Sequence, residues 1–152
     1  MPVSGVVEQI AISPSSDGVP ARAERVRARA GRGLEGEHHF SDDPEAGQQL
    51  TLIAAEALEA LRADTGIELS HEESRRNVLT RGIDLNVLVG RRFSVGEVEC
   101  EGIELCEPCN HLAGLTERGV LRGLVHRGGL RADILSDGEI AAGDAVRAVE
   151  SS

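Results

Sequence analysis

The sequence predicts a mainly β protein, a single domain built as a closed β-barrel with one or two helices. Three observations carry this. Eighteen glycines punctuate short runs rich in valine and isoleucine, the pattern of strands joined by tight turns. One stretch, AAEALEALRADTG at 54–66, keeps a helical period. No repeat, linker or low-complexity segment divides the 152 residues, which suffice for one core, so 1–152 reads as one domain.

The elements follow in order. Residues 3–13, VSGVVEQIAIS, read as a first strand, and Ser15-Ser16-Asp17-Gly18 as a turn. Residues 22–30 alternate small or apolar side chains with charge, a half-exposed strand or a short helix. SDDPEAG at 41–47 is a polar loop. Residues 48–53 alternate as a strand and run into the helix, where Ala54, Ala57, Leu58 and Leu61 share a face and Gly66 is the natural stop. Residues 67–80 read as polar loop up to NVLT. DLNVLVG, RRFSVGEVEC and GIEL read as three short strands, with a phase change at Gly102 that suggests a bulge. A short helix is expected after CEPCNHLAGLTERG, 106–119, followed by a glycine-rich turn. The tail, RADILSDGEIAAGDAVRAV, is a strand, a Ser136-Asp137-Gly138 turn, and a strand kinked at Gly143-Asp144.

Composition excludes several classes of function. The net charge of −10 argues against nucleic acid as a partner. Phe40 and Phe93 are the only aromatic residues, so base-stacking platforms are absent. There is no apolar run long enough to cross a membrane, and MPVSGVVEQIAIS lacks the basic and apolar regions of a signal peptide. Three cysteines do not make a disulfide framework, so a reducing cytoplasm is the expected location. All 16 basic residues are arginine, whose planar fork suits phosphate and carboxylate.

Four segments hold residues with chemistry. Gly31 to Gly36 matches G-x-G-x-x-G, but neither the strand before it nor the helix after it that a dinucleotide site requires is present. A sharp turn or close backbone approach explains those glycines. Glu37, His38 and His39 follow, either a polar loop or a carboxylate and two imidazoles on a glycine-bent rim. Arg75, Arg76 and Asn77 offer donors to an anion, or pair at the surface with Glu72 and Glu73. His126, Arg127, Gly128 and Gly129 form either an anion-binding backbone nest or a plain turn.

The fourth segment is CEPCNHL, 106–112. Structural zinc uses two tidy ligand pairs, and one pair is visible here, so no zinc is expected. A dithiol redox pair belongs at a helix start in a βαβ unit, and that context is missing. Two readings remain: ordinary buried cysteines, or one soft thiolate that carries sulfur or ligates a soft transition metal.

The order of the pieces adds a resemblance. GxGLEGEHH at 31–39, QQLTLIAAEAL at 48–58, RRNVLTRGIDL at 75–85, GxxFSVG at 90–96, CEPCxHL at 106–112, HRGGLRADIL at 126–135 and GEIAAGDAV at 138–146 together resemble a stand-alone MOSC domain. This is the module at the C-terminus of molybdenum cofactor sulfurases, and the likeness runs from about Gly5 to Val149. The resemblance implies a β-rich barrel with Cys109, rather than Cys106, as the reactive thiolate and molybdenum ligand in a molybdenum cofactor (molybdopterin). It implies that Arg75, Arg76 and Asn77 stand near the cofactor's phosphate or the pocket rim. Glu37 occupies the place of a usual aspartate, one methylene longer, ahead of His38 and His39. Similar modules reduce N-hydroxylated compounds with electrons from a separate protein, which implies an external redox partner. The alternatives are a sulfur carrier that takes persulfide on Cys109 from an external cysteine desulfurase, and a non-catalytic binding domain. The cofactor reading expects a dry cleft that gathers Cys109, Arg75, Arg76 and His126.

Overall fold

The computed structural model describes residues 4–15, 20–38, 40–44, 46–105 and 129–149. Within them the chain forms β1 (Ser4–Ile12), β2 (Ala21–Ala23), β3 (Arg25–Arg29), β4 (Gly33–Leu34) and β5 (Leu50–Ala54). Helices α1 (Ala55–Thr65) and α2 (His71–Ser74) lead to β6 (Val78–Arg81) and a 3-10 turn, η1 (Leu85–Leu88). Then come β7 (Arg92–Val95), β8 (Val98–Leu105), β9 (Leu130–Ile134), β10 (Gly138–Ala141) and β11 (Ala145–Ala148).

The main sheet runs β11-β7-β8-β9-β5-β6-β1-β2, and pairing of β11 with β1 closes it into a barrel of seven strands. Closure satisfies both edges of the sheet with backbone partners. The expected closed barrel is therefore present. Residues 22–30 are two strands. They divide at Glu24, so that β2 extends the barrel beside β1 while β3 joins β10 and β4 in a second, three-stranded sheet. Strand alternation points Val26, Ala28, Leu34 and Ile140 into the core that also holds Ile10, Leu50, Leu52, Phe93, Leu130 and Ile134.

One ladder positions the site. β5 and β6 are parallel, with Leu52 opposite Val78 and Ala54 opposite Thr80, while the other ladders between described strands are antiparallel. Parallel neighbours cannot be joined by a hairpin, so residues 55–77 must cross over. The predicted helix supplies the first 11 residues of that crossover. It ends as expected at Gly66, which is left-handed (φ 77°) and donates its N–H to Arg62 O at 2.8 Å. Arg81 on β6 ties the crossover down by bonding both Glu59 of α1 and Glu8 of β1.

Three local expectations differ. Residues 67–80 contain a helical turn, α2. DLNVLVG is a 3-10 turn rather than a strand, because the Asp84 side chain accepts Asn86 N–H at 3.0 Å and turns the chain, burying Leu85 and Leu88. β4, inside the glycine motif, pairs with β3. The short helix expected after CEPCNHLAGLTERG lies outside the described residues.

The bulge at Gly102 is present as a register shift between Gly102 and Glu104. A Cβ there would stand 2.0 Å from Leu88 O, so no side chain fits between β8 and η1. Gly102→Ala should therefore lower stability by at least about 2 kcal/mol, read as a lower urea midpoint with unchanged slope.

Candidate functional site

The structure joins three of the predicted residues into one buried network. Glu37, 7% exposed, sits at the end of the glycine-bent loop after β4. Its Oε2 accepts Asn77 Nδ2–H at 2.6 Å and Ser13 N–H at 3.0 Å, and its Oε1 lies 2.6 Å from His38 Nδ1. Asn77 Oδ1 accepts both the N–H and the hydroxyl of Thr51, at 3.1 and 3.0 Å. Asn77 O takes Ala11 N–H at 2.7 Å. Burial explains this density of bonds, since an unmatched carboxylate or amide here would carry its full desolvation cost.

The network fixes a tautomer. His38 Nδ1 faces two acceptors, Glu37 Oε1 and Ser13 O at 3.0 Å, so the proton resides on Nδ1. In the neutral ring the lone pair is then on Nε2, the arrangement of a carboxylate-oriented base or ligand. His39 lies outside the described residues.

Arg75 and Arg76 precede Asn77 at the turn from α2 into β6. Arg75 is left-handed (φ 59°), the one non-glycine residue with positive φ among the described residues. Behind it His71 is 4% exposed. Gln9 Nε2 donates to a carboxylate oxygen of Glu72 and also to His71 Nδ1 at 2.9 Å. The carboxylate settles the amide's orientation, so His71 Nδ1 accepts and its proton sits on Nε2, which has no partner among the described residues. Burial, with the nearby Arg22 guanidinium, holds the His71 pKa below its ordinary 6.5 against the opposing Arg76 backbone and Glu72 carboxylate.

A cavity of about 550 Å³ opens at the other end of the β5–β6 pair, within the ordinary size range of small-molecule sites. Ala54, Glu56, Ala57 and Ala60 form one wall, and Gly82 to Asn86 form the other, with Gly129 between them. Asn77 lies in the Thr51 row of the parallel pair and the cavity begins beyond the Ala54–Thr80 row. The two features are therefore about three residues apart along the strands, roughly 10 Å. Leu105 pairs with Leu130, which also pairs with Leu52. β8 thus ends and β9 begins on the cavity side. Gly129 (φ 108°) packs so tightly that a Cβ would lie 2.0 Å from Leu52 O. Cys106, Cys109, His126, Arg127 and Gly128 lie outside the described residues.

The third cysteine is placed. Cys100 is fully buried on β8, and burial, with Glu99 adding to it, pushes its thiol up to about 12. It is protonated at neutral pH and is neither nucleophile nor soft ligand. Sequence reasoning did not single out Ser13, Thr51, Gln9, His71, Glu56 or Asp84. Of these, Asp84 had a local signal, the D-x-N turn spacing; the others are united by contacts between distant segments.

Two measurements check these assignments. Glu37→Ala strands the Ser13 and Asn77 donors in the interior and should cost about 3 kcal/mol, measured by urea denaturation. His71 has a lowered folded pKa, so the unfolded chain binds the extra proton. Its contribution is complete above 6.5 and lost as pH falls below that value toward the folded one. The urea midpoint should fall between pH 7 and 5, and His71→Gln should flatten that fall.

Comparison with known proteins agrees with this architecture. The family model described as MOSC domain matches residues 35–147. A search of curated proteins finds no match. The YUAD protein from Bacillus subtilis superposes with a TM-score of 0.86 at 15% identity, covering 100% of this chain and 99% of that one. YiiM from Geobacillus stearothermophilus gives 0.69 at 15% identity over 97% of this chain and 73% of the other. YiiM from Escherichia coli gives 0.67 at 16% over 100% and 71%. With a matched segment of that length on a closed barrel of the expected kind, the chain belongs to the MOSC domain family.

Proposed function

We propose that this chain is a cytoplasmic, molybdenum-cofactor-binding MOSC protein. In this reading the Cys109 thiolate ligates molybdenum, and N-hydroxylated small molecules are reduced with electrons from an external redox partner. The observation that carries the reading is the cavity at the carboxyl ends of the parallel strands β5 and β6. Its wall includes Gly129, the first described residue after the segment that contains Cys109. Crevices at the carboxyl ends of parallel strands are where ligands commonly bind.

The donor set fits the metal but only part of the cofactor. A thiolate is a suitable soft ligand, and with Cys100 pinned in its protonated form the C-x-x-C segment is left to supply it. The described cavity wall carries Glu56 and Asp84 and no cation, so it does not suit a phosphate. Under this proposal Arg127, beside His126, Gly128 and Gly129, takes the phosphate, with Arg75 and Arg76 on a more distant rim. The cofactor, when bound, supplies the two-electron chemistry. The chain's own part is to hold the substrate in the cavity, exclude water with its alanine, isoleucine and leucine surfaces, and present the thiolate. Conversion of R–NHOH to R–NH2 consumes two electrons and two protons and releases water. Three cysteines cannot ligate a four-cysteine iron–sulfur cluster, which is why the electrons are assigned to a partner.

The absence of a cation among the described wall residues favours one second reading, a sulfur carrier. Cys109 would then receive persulfide sulfur from an external cysteine desulfurase and need no phosphate site.

Elemental analysis of protein made in a host that synthesises molybdenum cofactor separates these readings. The proposal expects molybdenum in wild type and its loss in Cys109→Ala. Cyanide-labile sulfur on Cys109 without molybdenum would establish the carrier instead. Zinc lost in the variant would overturn both.

A further inference from the structure

We infer that α2 and the Arg75-Arg76 turn form an acid-released strap on the barrel wall, with His71 as its latch: a proton added to the His71 ring breaks a side-chain tie between α2 and the barrel. The tie is a three-way contact. Gln9 of β1 reaches α2, and its amide nitrogen gives one hydrogen to a Glu72 carboxylate oxygen and the other to His71 Nδ1 at 2.9 Å. Arg22 of β2 donates its Nε–H to the same Glu72 oxygen at 3.0 Å. α2 is thus bound to two strands through one amide and one guanidinium.

This contact suits one protonation state. With the proton on His71 Nε2, Nδ1 holds a lone pair and receives Gln9. A second proton makes both ring nitrogens donors, and Nδ1–H then faces the Gln9 N–H. Turning the amide over offers Oε1 to the ring but sets that oxygen against the Glu72 carboxylate, acceptor against acceptor. Swinging Glu72 onto the charged ring instead gives up Gln9 and Arg22. Each of these routes cuts a bond between α2 and the barrel. His71 is 4% exposed, so water does not relieve the ring in place, and a buried charged donor without an acceptor is costly.

Among the described residues, the charged groups at the ring are Glu72 on its own element and Arg22 from β2. β1 brings the neutral Gln9, and the turn after α2 brings the Arg76 and Asn77 backbone. Burial, with Arg22, keeps the ring neutral at pH 7, so the strap is closed there and opens as pH falls below 6.5. Burial opposes the Glu72 charge, but Arg22 and Gln9 outweigh it and hold that carboxyl below its ordinary 4.5. Glu72 is therefore still an acceptor when the ring becomes charged.

The moving part is bounded. Leu69 packs with Leu61 of α1 on one side. On the other, Asn77 is held by its bonds to Thr51, Ala11 and Glu37, which do not involve His71. Between them Arg75 is left-handed (φ 59°), a conformation that a residue with a side chain keeps only where its surroundings fix it, so the released turn relaxes. Release shifts Arg75 and Arg76 without unfolding the barrel. The latch is the same whichever reading of the function holds.

The test is a titration of full-length, ¹⁵N-labelled protein from pH 7 to 5, with hydrogen exchange followed at each pH. His71 should titrate below 6.5, and the Gln9 side-chain amide and the Arg75 and Arg76 backbone amides should shift with the same midpoint. Protection of the Ser74 and Arg75 amides, bonded to Ser70 O and Glu72 O, should fall about tenfold while Leu52 and Ile134 stay protected. His71→Gln should abolish the response. Gln9→Ala removes the conflict at Nδ1, so His71 should then titrate without moving the turn; this variant keeps the test decisive if the first does not fold. A ring that stays neutral to pH 5, a titration that leaves Arg75 and Arg76 unmoved, a response that survives both variants, or equal loss of protection at Leu52 and Ile134 would overturn the latch.

Discussion

Asn77 hydrogen-bonds three separate parts of the chain, and the arrangement around it depends on that residue. Its backbone and side chain bond Thr51 on β5, its carbonyl takes Ala11 N–H on β1, and its amide nitrogen donates to Glu37 on the glycine-bent loop. It stands one residue before β6, where the parallel strand enters between β5 and β1. A side chain with both donor and acceptor is needed at this point, because the buried groups it meets are of both kinds. Once Asn77 is fixed, Glu37 is held, and Glu37 in turn sets the tautomer of His38.

The same parallel pair separates two kinds of chemistry along its length. At the amino end of β6 the polar groups are bonded to one another, and the Arg75-Arg76 turn is held between the Asn77 network and His71. At the carboxyl end the chain leaves space. α1 departs directly from β5, with Ala54 giving no side-chain cap, and the crossover places its first turn opposite the loop after β6. A crossover of this kind opens a crevice at that end as a matter of geometry. Small residues on α1 line it, and Glu56 and Asp84 on its described walls each accept a backbone N–H.

The cysteines divide in a related way. Cys100 is an interior residue, its thiol kept protonated by burial, and it packs as a small hydrophobe. The C-x-x-C pair belongs to the stretch of sequence between β8 and β9, whose flanking residues Leu105 and Leu130 pair on the cavity side of the barrel. The arginines are likewise not one population. Arg81 and Arg22 are bound to carboxylates that tie elements together, whereas Arg127 adjoins in sequence the glycine of the cavity wall.

By itself the sequence determined the class of fold, the barrel strands β1, β5, β7, β8 and β9 in outline, the one long helix with its Gly66 stop, the bulge at Gly102, and the family likeness. These are local properties: period, turn chemistry and the order of short motifs act over a few residues. Four features were decided elsewhere. Residues 22–30 divide between two sheets because β1 and β10 each claim part of them. DLNVLVG became a 3-10 turn because the Asp84 side chain outcompeted strand pairing. Ala57, read as sharing a helix face with Leu58 and Leu61, lines a cavity whose other described wall is Gly82 to Asn86, a distant segment. Glu37 and Asn77, 40 residues apart, share a hydrogen bond that no local pattern encodes. Tertiary structure decided these because each depends on which distant segment arrives alongside, and burial then requires every polar group there to find its partner.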